Sequence, residues 1–311
     1  MRCDLHVHSR HSGLNGDLSF LKSRDCYSSP ADVYRVARMR GMDLVTITDH
    51  DSIDGCLELL DRRGDIGDVL MGEEVTCWWP DTDLTVHLGV YGLTEAIHRE
   101  IQPLRRNVHE TVAYLATTPA VAVFNHPFHF YRGQVPLHDY VDLLGRTPGL
   151  EARNGAMLPA HNDLSERIGR ALTGRRAMVG GSDAHALHRI GRTWTETPAI
   201  TRDGFLADLR RGQARPGGAH GSVGVLAGDI YRVIACYWRA LVSAGYPELT
   251  PARRLVGLAF SSATLPAQFT PFVVSALHKR REAAVVRQAA NELGIVPRAS
   301  DVGDVTEEYE G

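Results

Sequence analysis

Asp4-Leu5-His6-Val7-His8 is the stretch whose reading decides the fold. On extended backbone, residues two apart face the same way, so His6 and His8 present both imidazoles to one side. Similar endings recur along the chain. Thr48-Asp49-His50-Asp51, Gly72-Glu73-Glu74, Asn125-His126-Pro127 and Gly181-Ser182-Asp183-Ala184-His185 each close a short run rich in Val, Ile, Leu or Thr. His87 lies within another such run, Val86-His87-Leu88-Gly89-Val90-Tyr91-Gly92.

These runs predict strands over residues 3–7, 43–48, 69–75, 85–91, 120–125, 149–153 and 177–181. Helical patterns lie between them. Ser29-Pro30 ahead of residues 31–40, with Gly41 after, supplies a cap, a proline in the first turn and a terminating glycine. Residues 101–117 and 164–173 read as helices too. Alternation at this spacing implies βα units on a parallel sheet or barrel. In a parallel barrel the C-terminal strand ends share one face, where active sites are built. Imidazoles at 6, 8, 50, 87, 126 and 185, with Asp183 and a carboxylate of the Glu73-Glu74 pair, therefore converge on one rim. Neutral imidazole and carboxylate together suit zinc, manganese or iron, so a polynuclear metal site is expected.

A chain of 311 residues accommodates one barrel-sized domain with an appendage, or two modest domains. Apolar residues at 43% and charged residues at 23% exclude wholesale disorder. A net charge of −3 argues against non-specific binding to nucleic acid or membranes. The five cysteines, Cys3, Cys26, Cys56, Cys77 and Cys236, form no CxxC pair. That argues against a disulfide framework and fits a reducing compartment. The opening MRCDLHVHSR has no apolar segment of a signal peptide, and no run of 18 apolar residues occurs. A cytoplasmic location without a membrane span is the expectation.

Residues 212–224, GQARPGGAHGSVG, read as a glycine-rich linker. Beyond it, Ile230, Val233, Ile234, Tyr237 and Leu241 form an amphipathic helical stripe, and residues 272–293 form a second helical stretch. The expected division is residues 1–217 for the barrel and 218–311 for a helical C-terminal extension. The extension reads as a small helical unit or a surface for homodimer formation. Its mixed charge weakens a membrane-surface reading. Asp301, Asp304, Glu307, Glu308 and Glu310 mark a frayed acidic tail.

The segments DLHVHS, TITDHDS, GEEVT, VHLGVYG, FNHP and GGSDAH, in that order, closely resemble the PHP (polymerase and histidinol phosphatase) family. The resemblance spans roughly residues 1–215. It implies an α/β fold, a distorted (β/α)7 TIM-like barrel, holding two or three divalent ions, usually zinc, manganese or iron, and cleavage of phosphoesters. It implies that His6, His8, Glu74 and Asp183 hold one metal, and that Glu74 bridges to a second shared with His87 and His126. His50 and His185 would hold a third. The family's Gly-x-Glu spacing selects Glu74 over Glu73, because adjacent strand residues face opposite ways. One departure stands out. Relatives often complete the third site with Ser-Asp or His soon after the HxH, whereas here Ser12 and Gly13 lead into an insertion from Leu14 to Cys26. His11, Asp17 or Asp25 could substitute.

The implied chemistry is hydrolysis in which two metals about 3.5–4 Å apart bind a bridging hydroxide and clamp the phosphoryl oxygens. Glu74, Asp183 and His185 are the expected catalytic residues, His185 assisting the leaving oxygen. Arg153, at the end of its strand, and Arg189 and Arg192, after the last strand, are candidates for gripping the phosphate. The expected substrate is a small phosphorylated metabolite or nucleotide rather than a long nucleic acid, which would call for a basic strip with aromatics. Two alternatives compete: an amidohydrolase-type metal hydrolase, and a nuclease or phosphodiesterase acting on short nucleic acids. Many binuclear amidohydrolases bridge their metals with a carbamylated lysine. No lysine occurs here between Lys22 and Lys279, so no middle strand can supply one.

Overall fold

The computed structural model describes residues 1–13, 21–65, 67–243, 245–246 and 249–295. The acidic tail, Asp17 and the first part of the 14–26 insertion lie outside the described residues. Among the described residues nine strands form one sheet: β1 (Arg2–Asp4), β2 (Leu44–Ile47), β3 (Val69–Trp78), β4 (Thr85–Tyr91), β5 (Val121–Phe124), β6 (Gly149–Asn154), β7 (Ala177–Gly181), β8 (Thr193–Glu196) and β9 (Arg215–Gly218). Their order is β7-β6-β5-β4-β3-β2-β1-β8-β9. Beyond the ladders, Val7 bridges Ala184 in parallel, and His8 N–H donates to Ala184 O at 3.0 Å. The extensions of β1 and β7 thus meet and close seven strands into a distorted barrel, with β8 and β9 added at its edge.

The sheet is not all parallel. β4 runs antiparallel to both β3 and β5. The cause is local: β3 and β4 are joined by residues 79–84, too short for a crossover, so they form a hairpin. The reversal puts the N-terminal end of β4 on the rim where the other strands end. His87, the third residue of β4, reaches the rim for that reason.

Helices wrap the barrel. α1 (Pro30–Met39) begins as expected, with the Ser29 side chain accepting from Asp32 N–H and Pro30 in the first turn. α2 (Asp54–Arg63) follows β2. The single helix predicted over 101–117 is two, α3 (Glu95–Leu104) and α4 (Val108–Leu115). Pro103 stands in the last turn of α3, and the Asn107 side chain caps α4 by accepting from His109 N–H at 3.0 Å. α5 (Leu137–Leu144), α6 (Pro159–Ala171) and α7 (Arg202–Arg210) complete the layer.

The predicted linker is not one, because it contains β9, paired antiparallel with β8. Its glycines serve close approach rather than looseness. A Cβ on Gly217 would meet the Trp194 ring at 2.7 Å, and Gly218 has φ +98°. After it come α8 (Val223–Val242), α9 (Pro251–Ala263), a 3-10 turn (Leu265–Phe269) and α10 (Pro271–Glu292). α10 lies along α8 and α6. Buried Glu282 accepts from Leu158 N–H at 2.8 Å, and Lys279 Nζ donates to Ala156 O at 2.6 Å. The C-terminal helices are therefore fastened to the barrel rim. No helix among the described residues is long and apolar enough to cross a membrane.

Candidate metal centre

Strand ends and their first loop residues deliver the site. His6 and His8 follow β1, His50 follows β2, His126 follows β5, and Asp183 and His185 follow β7, while Glu74 and His87 stand inside β3 and β4. Backbone strain collects here. Asp51, His126 and Asp183 have φ of 53°, 24° and 51°, a region that non-glycine residues seldom occupy. Such strain persists where surrounding structure fixes it, commonly at functional sites.

Glu74 is the hub. Its Oε2 lies 3.1 Å from His6 Nε2, 3.4 Å from His8 Nε2 and 3.1 Å from His50 Nδ1. Its Oε1 lies 3.0 Å from His87 Nδ1 and 3.1 Å from His126 Nε2. Asp183 Oδ1 stands 3.5 Å from His6 Nε2, 3.4 Å from His8 Nε2 and 3.7 Å from His185 Nδ1. All eight expected ligands thus come together. Four overlapping triads have donor atoms mutually within 4.8 Å: His6-His8-Glu74, His6-His126-Asp183, His50-Glu74-His87 and His8-His50-His185.

The donor set fits divalent ions. His6 Nε2, His8 Nε2 and Glu74 Oε2 are buried and make no hydrogen bond despite their proximity. Buried polar atoms left without partners are costly, and an ion would satisfy all three at once. Ligands about 2.0–2.1 Å from a tetrahedral ion lie about 3.4 Å from one another, close to the spacing seen here.

Outer partners aim these rings. Glu151 Oε1 is 3.0 Å from His6 Nδ1, and Glu151 Oε2 accepts from His126 N–H at 2.8 Å. Ser12 Oγ is 2.8 Å from His8 Nδ1, and Asn125 Nδ2 donates to Glu74 Oε1 at 3.0 Å. Buried Asp4 accepts from Ser182 N–H at 2.8 Å, tying β1 to the Asp183 loop, and Asp49 accepts from Ser9 N–H at 2.6 Å. Glu73, on the opposite face of β3, is held by His98 at 2.8 Å and Gln102 at 3.1 Å, on α3.

The carboxylates and imidazoles of the site shift one another's protonation in both directions. Burial would raise the Glu74 carboxyl, but His6, His87 and His50 override it and hold it well below the usual range. Asp183 is likewise held well below its usual range, His6 overcoming burial. Burial, reinforced by His185, keeps His8 well below the ordinary imidazole value, and burial lowers His50 to about 4. His8 and His50 are thus neutral, the form that ligates. Against burial, Glu74 and Asp183 raise His6 and Glu74 raises His126, whose protons a bound ion would displace.

Above the centre opens a cavity of about 620 Å³ whose floor includes His50, Glu74, His87, His126, Asp183 and His185. Of the three candidates for the missing ligand, Asp25 lines this cavity, with Oδ2 3.9 Å from His50 Nε2. His11 is instead paired with Glu58 at 2.7 Å. The arginines are placed elsewhere. Arg189 is buried against Asp229 and Gly155 O, Arg153 donates to Gly218 O, and Arg192 donates to His188 O. None of the three lines the cavity, whereas His129, His278 and Lys279 do. Sequence reading passed over the latter two because α10 is remote in sequence from every strand end. Glu151 carried no motif of its own; a carboxylate inside a rim strand was the available signal.

The chain matches the family model for the PHP-associated C-terminal region over residues 159–214. An uncharacterised protein of Methanocaldococcus jannaschii is 29% identical over 131 residues, covering 41% of this chain and 68% of that one. Among solved structures, PsfC from Pseudomonas syringae aligns at 19% identity over 77% of this chain and 96% of its own, with a TM-score of 0.48. An amidohydrolase from Chromobacterium violaceum aligns at 17% identity over 68% of this chain and 97% of its own, also at 0.48. A Bifidobacterium adolescentis protein assigned as a metal-dependent phosphoesterase aligns at 16% identity over 67% and 94%, at 0.44. The match over residues 159–214, with the ordered strand-end motifs, is what this chain shares with the PHP-domain family.

Proposed function

We propose that the protein hydrolyses a phosphoester bond in a small phosphorylated molecule at a centre of two or three divalent ions, zinc, manganese or iron. His6, His8, Glu74, His87, His126 and Asp183 would hold two ions, and His50 and His185, with Asp25, a third. The observation that carries this reading is the buried, unpartnered trio His6 Nε2, His8 Nε2 and Glu74 Oε2 beneath a roomy cavity. When bound, the ions supply Lewis acidity toward a phosphoryl oxygen and toward water.

The protein's own part is positioning and proton handling. Water oxygen forms the new P–O bond, the ester P–O bond breaks, and the proton released from water ends on the departing alcohol. Where the third position holds no ion, His185 would make that last transfer. It lines the cavity, and Asp25 and Asp183 outweigh burial to raise its pKa, favouring the proton-bearing form. Glu74 and Asp183 keep the reacting groups in register rather than exchanging protons, being held ionised.

The test is metal analysis of the purified protein with a panel of phosphomonoesters, phosphodiesters, nucleotides and short oligonucleotides. A His6→Ala/Glu74→Ala double variant should lose its metal and at least a hundredfold in activity. Full activity in that variant defeats the reading. Release of ammonia or carboxylate from amides or lactones, with phosphate esters untouched, would favour the amidohydrolase alternative. Lys279 is a poor bridging candidate there, since its Nζ is engaged by Glu282 at 2.5 Å. Exposed Leu255, Phe269, Phe272 and Val273 on the C-terminal helices support homodimer formation, which light scattering would measure.

A further inference from the structure

The cavity above the centre has a wall of a different character from its floor. Leu226, Ile230, Val233 and Ile234 from α8, Phe260 from α9 and Val274 from α10 face the same space as His50 and Asp183. Most of the polar atoms among them are already used inside the protein. The exception is Asp229 on α8, whose carboxylate lies 3.4 Å from His188 and 3.7 Å from Arg189 and keeps Oδ1 without a hydrogen bond. Trp238 Nε1 donates to Gln268 Oε1 at 2.9 Å, and Gln268 Nε2 donates to Ser261 O at 2.8 Å. Tyr237 OH donates to Leu21 O at 3.2 Å. Thr264 and Thr270 hydroxyls donate to Phe260 O and Ala267 O at 2.8 and 2.6 Å. Lys279 Nζ is taken by Ala156 O and Glu282. His129 and His278, with rings 5.3 Å apart, continue the polar floor from His126 up to α10.

A sugar, or the edge of a base, needs free donors and acceptors, and a site that leaves them unpaired loses affinity steeply. This wall offers few. It offers apolar surface, continuous with the candidate metal centre and large enough for a drug-sized group. We infer that the C-terminal helices form a specificity wall and that the substrate is a phosphoester of an apolar alcohol, aryl or alkyl, rather than of a sugar or nucleoside. The phosphate would sit on the His/Glu/Asp floor and the apolar group against α8, α9 and α10. This substrate class rests on the phosphoester reading above.

Binding and turnover separate the two ideas. The metal-loaded full chain is titrated calorimetrically with methyl-, butyl-, octyl- and naphthylmethylphosphonate, and with dihydroxybutylphosphonate as the polar match to butyl. Affinity should rise about fourfold per added methylene between methyl and butyl, and dihydroxybutylphosphonate should bind no tighter than the methyl compound. Ile234→Asn, at a half-exposed position on the wall, should cut octylphosphonate affinity about tenfold while leaving methylphosphonate unchanged, which also reports an intact fold. Flat affinity along the series, tightest binding of the dihydroxy compound, or no phosphonate binding overturns the wall. The corresponding phosphate monoesters are assayed in parallel. Rising phosphonate affinity with no ester cleaved keeps the wall and removes the phosphoester reading. Cleavage with no preference for apolar esters does the reverse.

Discussion

Glu151 Oε1 stands 3.0 Å from His6 Nδ1, on the opposite edge of the imidazole from Nε2, which faces Glu74 at 3.1 Å. A carboxylate there fixes which ring nitrogen carries the proton and leaves the other free to ligate. Glu151→Gln keeps the volume and removes the charge. Metal affinity, read by chelator competition, should fall about 10–100-fold. Unchanged affinity would show that Glu151 does not orient the ring.

Asp25 lies near His50 in the cavity, and His11 is turned away to Glu58. Asp25→Asn should lower the metal content of the purified protein, by up to one ion per chain in elemental analysis. His11→Asn should leave the metal content unaltered. Equal losses in the two variants would reject the assignment of Asp25 to the third site.

Gly181 ends β7 directly beneath the site. A Cβ there would fall 2.3 Å from His6 Cβ and 2.7 Å from His6 N. Backbone must move, so Gly181→Ala should destabilise the fold by about 1–3 kcal/mol in denaturant titrations. It should weaken metal binding as well, because His6 is what moves.

His161 is fully buried on α6, and its Nε2 accepts from Phe128 N–H at 3.3 Å. Burial depresses its pKa from 6.5 to about 4. Between those values the unfolded chain binds the proton that the folded chain refuses. Stability from this group is complete above pH 6.5 and is lost as pH falls toward 4, by up to about 3 kcal/mol. His161→Gln, which retains an acceptor, should flatten that part of the acid dependence in urea midpoints between pH 7 and 4.5. An unchanged slope would contradict it.

The legible parts of this molecule were those written in short segments. The HxH, Asp-His, Gly-x-Glu, Asn-His-Pro and Ser-Asp-x-His endings carry their chemistry in adjacent residues, and they meet around Glu74. Less legible was whatever depends on packing between distant segments. The reversal of β4 followed from a short connection, which hydrophobic pattern does not report. The glycines of 212–224 are the same residues whether they loosen a linker or let β9 press on Trp194. Helical periodicity revealed the apolar stripe of α8, but not that Ile230, Val233 and Ile234 face a cavity while Leu241 is buried with Leu21. Arginine positions near strand ends likewise gave no hint that Arg189 would turn to Asp229.

The doublet Glu73-Glu74 makes the hub position of β3 respond unequally to changes in length. One residue inserted upstream in the strand would bring Glu73 to the hub in place of Glu74, so a carboxylate would still face the histidines. One residue deleted would bring Val75, and the centre would lose the group on which five imidazoles converge. At the hub position itself, an insertion would keep a carboxylate and a deletion would remove it.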